Sequence, residues 1–130
     1  MPFIIHQAKY SMFVRTPETG LIDVLKKQGL GLIVFSPPAQ GLLSGKYNND
    51  IPKDSRAAKF KSALDLITDK NIERVKKLRA IADKRGQSIT QLPLVWVLRN
   101  KTATSALARP SRSKKMLRLS IISDLIKRTG

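Results

Sequence analysis

The sequence predicts an α/β fold in which parallel strands are joined by crossover helices. Two short apolar runs, residues 3–6 and 30–35, have the composition of strands, and glycine and proline bound the second run. Helical periodicity appears between and after them, so the order along the chain is strand, helix, strand, helix, helix, strand, helix. This alternation is typical of a parallel sheet, because parallel neighbours need a crossover connection.

The first helix is predicted to begin with Thr16 as its N-cap and Pro17 at its first helical position. Gly29 is expected to end the helix, since glycine adopts the left-handed conformation that a helix terminus favours. The apolar stripe of this helix is expected to consist of Leu21, Val24 and Leu25.

The second half is predicted to hold a longer helix over residues 70–85, capped by Asp69 and ended by Gly86. Its apolar positions are expected to be Ile72, Val75, Leu78 and Ile81. The polar connection that precedes it, residues 46–69, is expected to contain a short helix near Ser62.

Ser88 and Gln91 have the spacing of a capping box, which predicts a further helix containing Val95 and Trp96. Pro93 falls about five residues into that helix, where a missing amide hydrogen costs about 3 kcal/mol. A short strand is expected over residues 104–108, followed by a helix that Ser111 caps at Arg112.

The segment from Phe35 to Tyr47 carries the strongest indication of a binding site. It leaves a buried strand at a Ser-Pro-Pro sequence, which cannot continue a ladder, and then supplies small residues and Lys46. Phosphate-bearing ligands favour loops of this kind at strand ends in α/β proteins. A tight connection with no ligand is the alternative interpretation.

The composition excludes several classes of site. Zero cysteines rule out disulfides, and a single histidine, His6, makes a zinc site improbable, so no metal residue is predicted. No apolar run is long enough to span a membrane, and the first residues lack the features of a secretory signal. We therefore expect a cytoplasmic location and no membrane partner.

The net charge of +16 is concentrated in the second half of the chain. Residues 1–69 carry nine Lys/Arg against six Asp/Glu, whereas residues 70–130 carry sixteen against three. Such a charge attracts polyanions. No known nucleic-acid-binding motif accompanies it and only 5% of residues are aromatic, so specific nucleic-acid binding is not predicted.

Five blocks of sequence, in order along the chain, resemble the C-terminal part of the aldo-keto reductases. The blocks read IHQAKYSMF (5–13), FSPPAQGLLSGKY (35–47), IPKDSR (51–56), GQSITQL (86–92) and WVL (96–98). They are most similar to the branch that contains bacterial glyceraldehyde-phosphate reductases and the beta subunits of voltage-gated potassium channels. The resemblance covers roughly residues 3–113.

The resemblance implies an incomplete domain, with about three βα units from the C-terminal part of a TIM-type (β/α)8 barrel. Residues 1–113 would form this partial reductase domain, and residues 114–130 a divergent basic tail. A complete barrel needs about 250 residues. The family's catalytic Asp, Tyr, Lys and His lie in the part that this chain lacks, so the sequence assigns no catalytic residue.

The resemblance also implies that the retained part is the NADP side of the reductase site. Gln7 would hold the nicotinamide carboxamide and Phe35 would stack on its ring. Lys46 and Arg56 would meet phosphate oxygens, and Ser111 would grip the adenosine 2′-phosphate. The pyrophosphate would be lined by Ser36, Pro37, Ala39 and Gln40.

Some positions depart from the family pattern. The last loop has Arg109 where a glycine is usual, which opposes close backbone approach to the cofactor. Likeness to the family ends near Ser113. One hypothesis is that the chain is the product of a broken or truncated reductase gene with a frame-shifted tail, and the flanking nucleotide sequence would test it.

The predicted function is therefore that of an NADP-dependent carbonyl reductase fragment, an oxidoreductase relative that is inactive alone. The alternative is a non-catalytic interaction module, which would complement another chain or bind anions through its basic second half. Exposure of the barrel interior would also favour self-association.

Overall fold

The computed structural model describes residues 3–47 and 50–107. The chain divides into two compact units. Among the described residues, one unit is formed by those up to Pro37 together with Leu94–Leu107, and the other by those between Pro38 and Pro93. We call them the sheet unit and the loop-helix unit, and we describe each by itself.

The sheet unit is built on three parallel strands, which confirms the predicted α/β class. The strands are β1 (Ile5–Lys9), β2 (Gly31–Phe35) and β3 (Ala103–Ala106), and β2 lies in the centre. Gln7 pairs with Ile33, and Lys9 pairs with Phe35. The predicted first strand, residues 3–6, therefore begins and ends later than expected.

The first predicted helix is divided at Gly20, whose φ of 137° interrupts the helical backbone. A 3-10 turn spans Thr16–Thr19 with Arg15 at its N-cap, and helix α1 spans Leu21–Lys27. The expected N-cap at Thr16 is wrong, because Thr16 lies inside the 3-10 turn and the regular helix begins only at Leu21. The expected apolar stripe is wrong at one position. Ile22 and Leu25 are buried, whereas Val24 is 55% exposed.

The core of the sheet unit lies on one face of the sheet. Leu32 and Val34 of the central strand are fully buried there, as alternation along a strand requires. Side chains from α1, from α5 (Leu92–Leu98) and from the residue that follows β1 pack on them. The buried cluster consists of Tyr10, Ile22, Leu25, Leu32, Val34, Val97 and Ala103.

The loop-helix unit contains a 3-10 segment, Ala39–Ser44, and three helices, α2 (Arg56–Lys59), α3 (Lys61–Leu64) and α4 (Asp69–Lys84). The short helices α2 and α3 occupy the region near Ser62 where one helix is predicted. Tyr47, Ala57 and Ala63 are buried together, with Ile67 packed against them. They hold the short helices to the end of the loop.

Helix α4 confirms the predicted long helix with two corrections. Thr68, not Asp69, is the N-cap, and its hydroxyl accepts a 3.2 Å hydrogen bond from the Asn71 amide. Val75 and Ala82 are buried, whereas Ile81 is 48% exposed. A strict three-residue spacing drifts around a helix of 3.6 residues per turn, so position 82 faces the core instead of position 81.

The capping box is present in the structure. The Gln91 amide donates to the Ser88 hydroxyl at 3.2 Å, and the Ser88 amide donates to the Gln91 side chain at 3.0 Å. Regular helix α5 begins only at Leu92, so Pro93 lies in its first turn. The expected cost of an interior proline is therefore reduced, because the first amides of a helix have no partner within it.

No described helix is long and apolar enough to cross a membrane. The predicted final strand is present, although β3 ends at Ala106 rather than at position 108. The predicted helix from Arg112, the position Arg109 and the domain boundary after residue 113 lie outside the described residues.

Candidate cofactor site

Gln7 and Phe35 lie on the same face of the sheet, opposite the buried core. Lys9, two residues after Gln7, is the register partner of Phe35, so the two predicted cofactor residues are diagonal neighbours. Both side chains are exposed. The sheet therefore presents an aromatic ring at the carboxyl end of β2 and, two residues short of the end of β1, an amide, close to the edge at which α/β proteins bind ligands.

The backbone changes direction sharply where β2 ends. Ser36 has a φ of 60°, which is uncommon for a residue with a side chain. Its side chain is half-buried and Pro37 is fully buried. Pro37 has no amide hydrogen, so its backbone cannot donate a hydrogen bond to a pyrophosphate.

The loop continues into the loop-helix unit with further left-handed residues. Ala39 and Gln40 have φ values of 49° and 58°, and Gly41 follows at 100°. The Pro38 carbonyl accepts hydrogen bonds from the amides of Gly41 and Leu43 at 3.0 and 3.1 Å. Non-glycine residues in this region cost about 1 kcal/mol or more each, and such strain clusters at ligand sites and switch regions.

Gln40 connects the loop to the short helices. Its Oε1 accepts hydrogen bonds from Nε of Arg56 at 3.4 Å and from the Ser62 hydroxyl at 3.3 Å. Its Nε2 donates to the Ser62 carbonyl at 3.2 Å. Two of the predicted site residues, Gln40 and Arg56, are therefore in direct contact, and sequence reasoning missed Ser62.

Lys46 follows the tightly packed turn at Gly45. Gly45 has a φ of 73°, and a side-chain carbon there would collide with the guanidinium of Arg79. Lys46 is exposed, whereas Tyr47 is buried. The loop therefore ends in a closely packed turn at Gly45, and the Lys46 side chain that follows is exposed to solvent.

The predicted site residues thus fall into two groups. Gln7, Phe35, Ser36 and Pro37 belong to the sheet unit, while Ala39, Gln40, Lys46 and Arg56 belong to the loop-helix unit. Ser111 lies outside the described residues. The described residues contain no group of three His, Cys, Asp or Glu side chains that could hold a metal.

A second polar cluster occupies the sheet unit and was not predicted. Glu18 accepts hydrogen bonds from Tyr10, Arg15 and Arg99, and both arginines approach the ring of Trp96. The Arg15 hydrogen bond, followed by that from Tyr10, lowers the pKa of Glu18 from its ordinary 4.5 to about 2. Burial, and then the bond to Glu18, raise the pKa of Tyr10.

Among the described residues, this cluster shows no arrangement that would support catalysis. Tyr10 is fully buried, and its hydroxyl contacts a carboxylate and a guanidinium that are paired with each other. The sequence signal for it was weak, because Arg99 lies 81 residues from Glu18 along the chain. The cluster holds the end of β1 to the end of α5.

Comparison with known proteins identifies the family. The sequence model of the Aldo/keto reductase family matches residues 1–120. L-glyceraldehyde 3-phosphate reductase from Escherichia coli is 38% identical over 122 residues, which are 89% of this chain and 35% of the reductase. A probable voltage-gated potassium channel subunit beta from Arabidopsis thaliana is 34% identical over 118 residues, or 87% of this chain and 36% of that protein.

The glycerol dehydrogenase AKR11B4 from Gluconobacter oxydans has a similar fold, with a TM-score of 0.69 and 22% sequence identity. The similarity covers 98% of this chain and 43% of the dehydrogenase. This chain spans about a third of the length of the curated relatives that it matches. With its three parallel strands and their helices, it has the fold of part of a reductase barrel, and it belongs to the aldo/keto reductase family.

Proposed function

We propose that this chain carries the NADP(H)-binding part of an aldo-keto reductase site and none of the residues that transfer the proton. The observation that carries the proposal is the run of left-handed residues that follows β2. Ser36, Ala39 and Gln40 all adopt positive φ values within five residues of one another. Backbone strain at a strand end fits a loop shaped around a ligand.

The side chains present fit a dinucleotide phosphate. In the loop-helix unit, Arg56 and Lys46 supply cations that would meet phosphate oxygens. In the sheet unit, Gln7 would hold the carboxamide and Phe35 would stack on the nicotinamide ring. Ser111 would contact the 2′-phosphate. The cofactor itself supplies a hydride for carbonyl reduction when it is bound.

The chain alone is not expected to reduce carbonyl compounds. The resemblance assigns the proton donor and its partners to the part of the family fold that precedes the matched residues. Among the described residues, the Tyr10 hydroxyl contacts Glu18 and Arg99 and no lysine or histidine. Purified chain mixed with NADPH and a simple aldehyde should therefore show no loss of absorbance at the nicotinamide band. Steady NADPH oxidation dependent on the aldehyde would contradict the proposal. We propose a cytoplasmic location, where NADPH is available.

Cofactor binding is tested by titrating the chain with NADPH and following nicotinamide fluorescence at low and at high salt. Saturable binding should survive added salt, since stacking and directional hydrogen bonds contribute to it along with charge. Arg56→Gln should weaken binding about tenfold. Lys59→Gln removes one charge from the same short helix and serves as the matched control, with little expected effect.

A second candidate function is non-specific anion binding, and the exposed side of α4 favours it. Lys70, Arg74, Lys77 and Lys84 are all exposed there, and within the described part of the chain Glu73 pairs with Lys77 alone, at 2.7 Å. Binding through this surface would be equal for any polyanion and would collapse with salt. Heparin that competes fully with NADPH at low salt, with no saturable NADPH binding at high salt, would favour this candidate.

A further inference from the structure

We propose that Gln40, Ser62 and Phe60 position the Arg56 guanidinium so that its outer edge faces an anionic ligand. The inference rests on the proposed function, and it assigns to Gln40 a role different from lining the pyrophosphate. All four residues belong to the loop-helix unit. The hydrogen bond to Gln40 holds the Nε edge of the guanidinium, and the Phe60 ring covers one face of its plane.

The backbone of Arg56 is fixed first. Arg56 is the first residue of α2, and Ser55 caps that helix by accepting a 3.3 Å hydrogen bond from the Ala58 amide. Ser55 is buried, and its own amide donates to the Pro52 carbonyl at 2.9 Å. The starting point of the arginine side chain is therefore set by a capped turn.

The side chain is then held by neutral groups. Nε donates to Oε1 of Gln40 at 3.4 Å, and the guanidinium carbon lies 5.1 Å from the centre of the Phe60 ring. Arginine only donates, so the Gln40 amide must present its oxygen. Ser62 fixes that orientation, because its carbonyl accepts from Nε2 of Gln40 and its hydroxyl donates to Oε1.

The outer edge of Arg56 remains available. Among the described residues, no carboxylate pairs with Arg56 and no hydrogen bond uses its two Nη atoms. Arg15 and Arg99, by contrast, both pair with Glu18. An arginine oriented by neutral partners keeps its full charge and a two-pronged edge, which matches two oxygens of a phosphate group.

The test is a double-mutant cycle read by NADPH fluorescence titration of the full chain. Gln40→Asn keeps a residue that tolerates a positive φ but shortens the amide so that it no longer reaches Arg56. We expect the Kd to rise about three- to tenfold in Gln40→Asn, and about tenfold in Arg56→Gln. The double variant should be no weaker than Arg56→Gln alone, because Gln40 acts through Arg56.

Substitutions at Ser62, which is exposed, provide an independent test of the same proposal. Ser62→Ala should raise the Kd about twofold, and Ser62→Thr, which keeps the hydroxyl, should restore it. Urea midpoints of all variants check that each is folded. Additive effects of Gln40→Asn and Arg56→Gln, or an unchanged Kd in Gln40→Asn, would overturn the positioning role. Absence of saturable NADPH binding in the unmodified chain would instead overturn the proposed function, and the inference with it.

Discussion

The hydroxyl of Tyr10 donates a 2.6 Å hydrogen bond to Oε1 of Glu18. The same oxygen accepts from Nη2 of Arg99 at 3.1 Å, while Oε2 accepts from Nε of Arg15 at 2.7 Å. One carboxylate thus joins the residue after β1, the 3-10 turn and the residue after α5. Because Tyr10 is fully buried and its partners are charged, these bonds are stronger than neutral ones.

This arrangement predicts acid sensitivity. The folded structure lowers the pKa of Glu18 from 4.5 to about 2, so its contribution to stability is fully present above about pH 5. It is lost as the pH falls through the window between 4.5 and about 2, where the unfolded chain takes up the proton first. The urea midpoint should therefore decrease as the pH is lowered from 6 to 3.

Glu18→Gln provides the control for this prediction. The amide cannot titrate, so the variant should be less stable at pH 6 and should lose less stability on acidification. The difference between the two proteins should narrow towards pH 3. Parallel pH profiles would show that other carboxylates cause the acid sensitivity.

Arg99 should be the more important of the two arginines around Trp96. Its guanidinium lies 3.8 Å from the ring centre and donates to the Trp96 carbonyl at 2.8 Å, whereas that of Arg15 lies 5.4 Å from the ring. Arg99→Ala should lower the free energy of unfolding by about 1–3 kcal/mol. Arg15→Ala should cost less, because that side chain is more exposed than the side chain of Arg99.

Trp96 is the only tryptophan in the chain, so its fluorescence reports this site directly. Arg99→Ala should increase quenching of Trp96 by acrylamide, since the ring loses the cover of the guanidinium. Arg15→Ala should change quenching less. Equal quenching in the two variants would show that the closer stacking of Arg99 does not protect the ring.

Local sequence rules predicted the elements whose causes are local. The capping box at Ser88 depends on residues three apart, and β2 depends on a single apolar run between glycine and proline. The rules were wrong where a single residue decides whether a helix continues or which of two adjacent positions is buried. Gly20 divides the first helix, and Ala82 replaces Ile81 on the buried side of α4 because of the helical repeat.

The site could be predicted only to the level of residue identity. Family blocks named Gln40 and Arg56, but not that they contact each other, and nothing in the sequence signals that Ser62 orients Gln40. Such contacts join residues 16 and 22 positions apart, and they depend on how α2 and α3 pack. The Glu18 cluster was missed for the same reason, since Arg99 reaches it across 81 positions.

Comparing substitutions at Gly45 and Gly86 separates the cost of backbone strain from the cost of a steric collision. Both are left-handed, with φ values of 73° and 66°. A side-chain carbon at Gly45 would strike the Arg79 guanidinium and approach Ile89, whereas none of the described atoms lies within 4 Å of one at Gly86. Gly86→Ala should therefore cost about 1 kcal/mol of stability. Gly45→Ala should cost somewhat more, because the flexible Arg79 side chain must move aside and Ile89 must shift slightly.

Urea denaturation measures both costs. Adding Arg79→Ala to Gly45→Ala should recover part of the loss, because it removes the collision but leaves the backbone strain. Arg79→Ala alone measures the cost of losing that side chain's own interactions, and the same addition to Gly86→Ala should recover nothing. If the two glycine variants are equally destabilised, Arg79 yields without cost and the collision does not constrain the loop.

The open face and edge of the sheet predict salt-dependent self-association. Ile5 and Phe35 are 40% and 37% exposed on the face opposite the core, and Phe3 and Ile4, which precede the edge strand β1, are more exposed. Apolar surface of this kind favours association, but a net charge of +16 opposes it. Because salt shortens the range of repulsion from about 30 Å at 0.01 M to about 8 Å at 0.15 M, association should increase with salt.

Sedimentation velocity at several protein and salt concentrations measures this association. Ile5→Lys places a charge on the open face and should reduce association at 0.15 M salt. Val24→Lys adds the same charge at an exposed position of α1, and it controls for the change in net charge. Since both variants raise the overall repulsion equally, a larger effect of Ile5→Lys would locate the contact on the open face. Equal effects, or a monomer at every salt concentration, would show that the open face does not drive association.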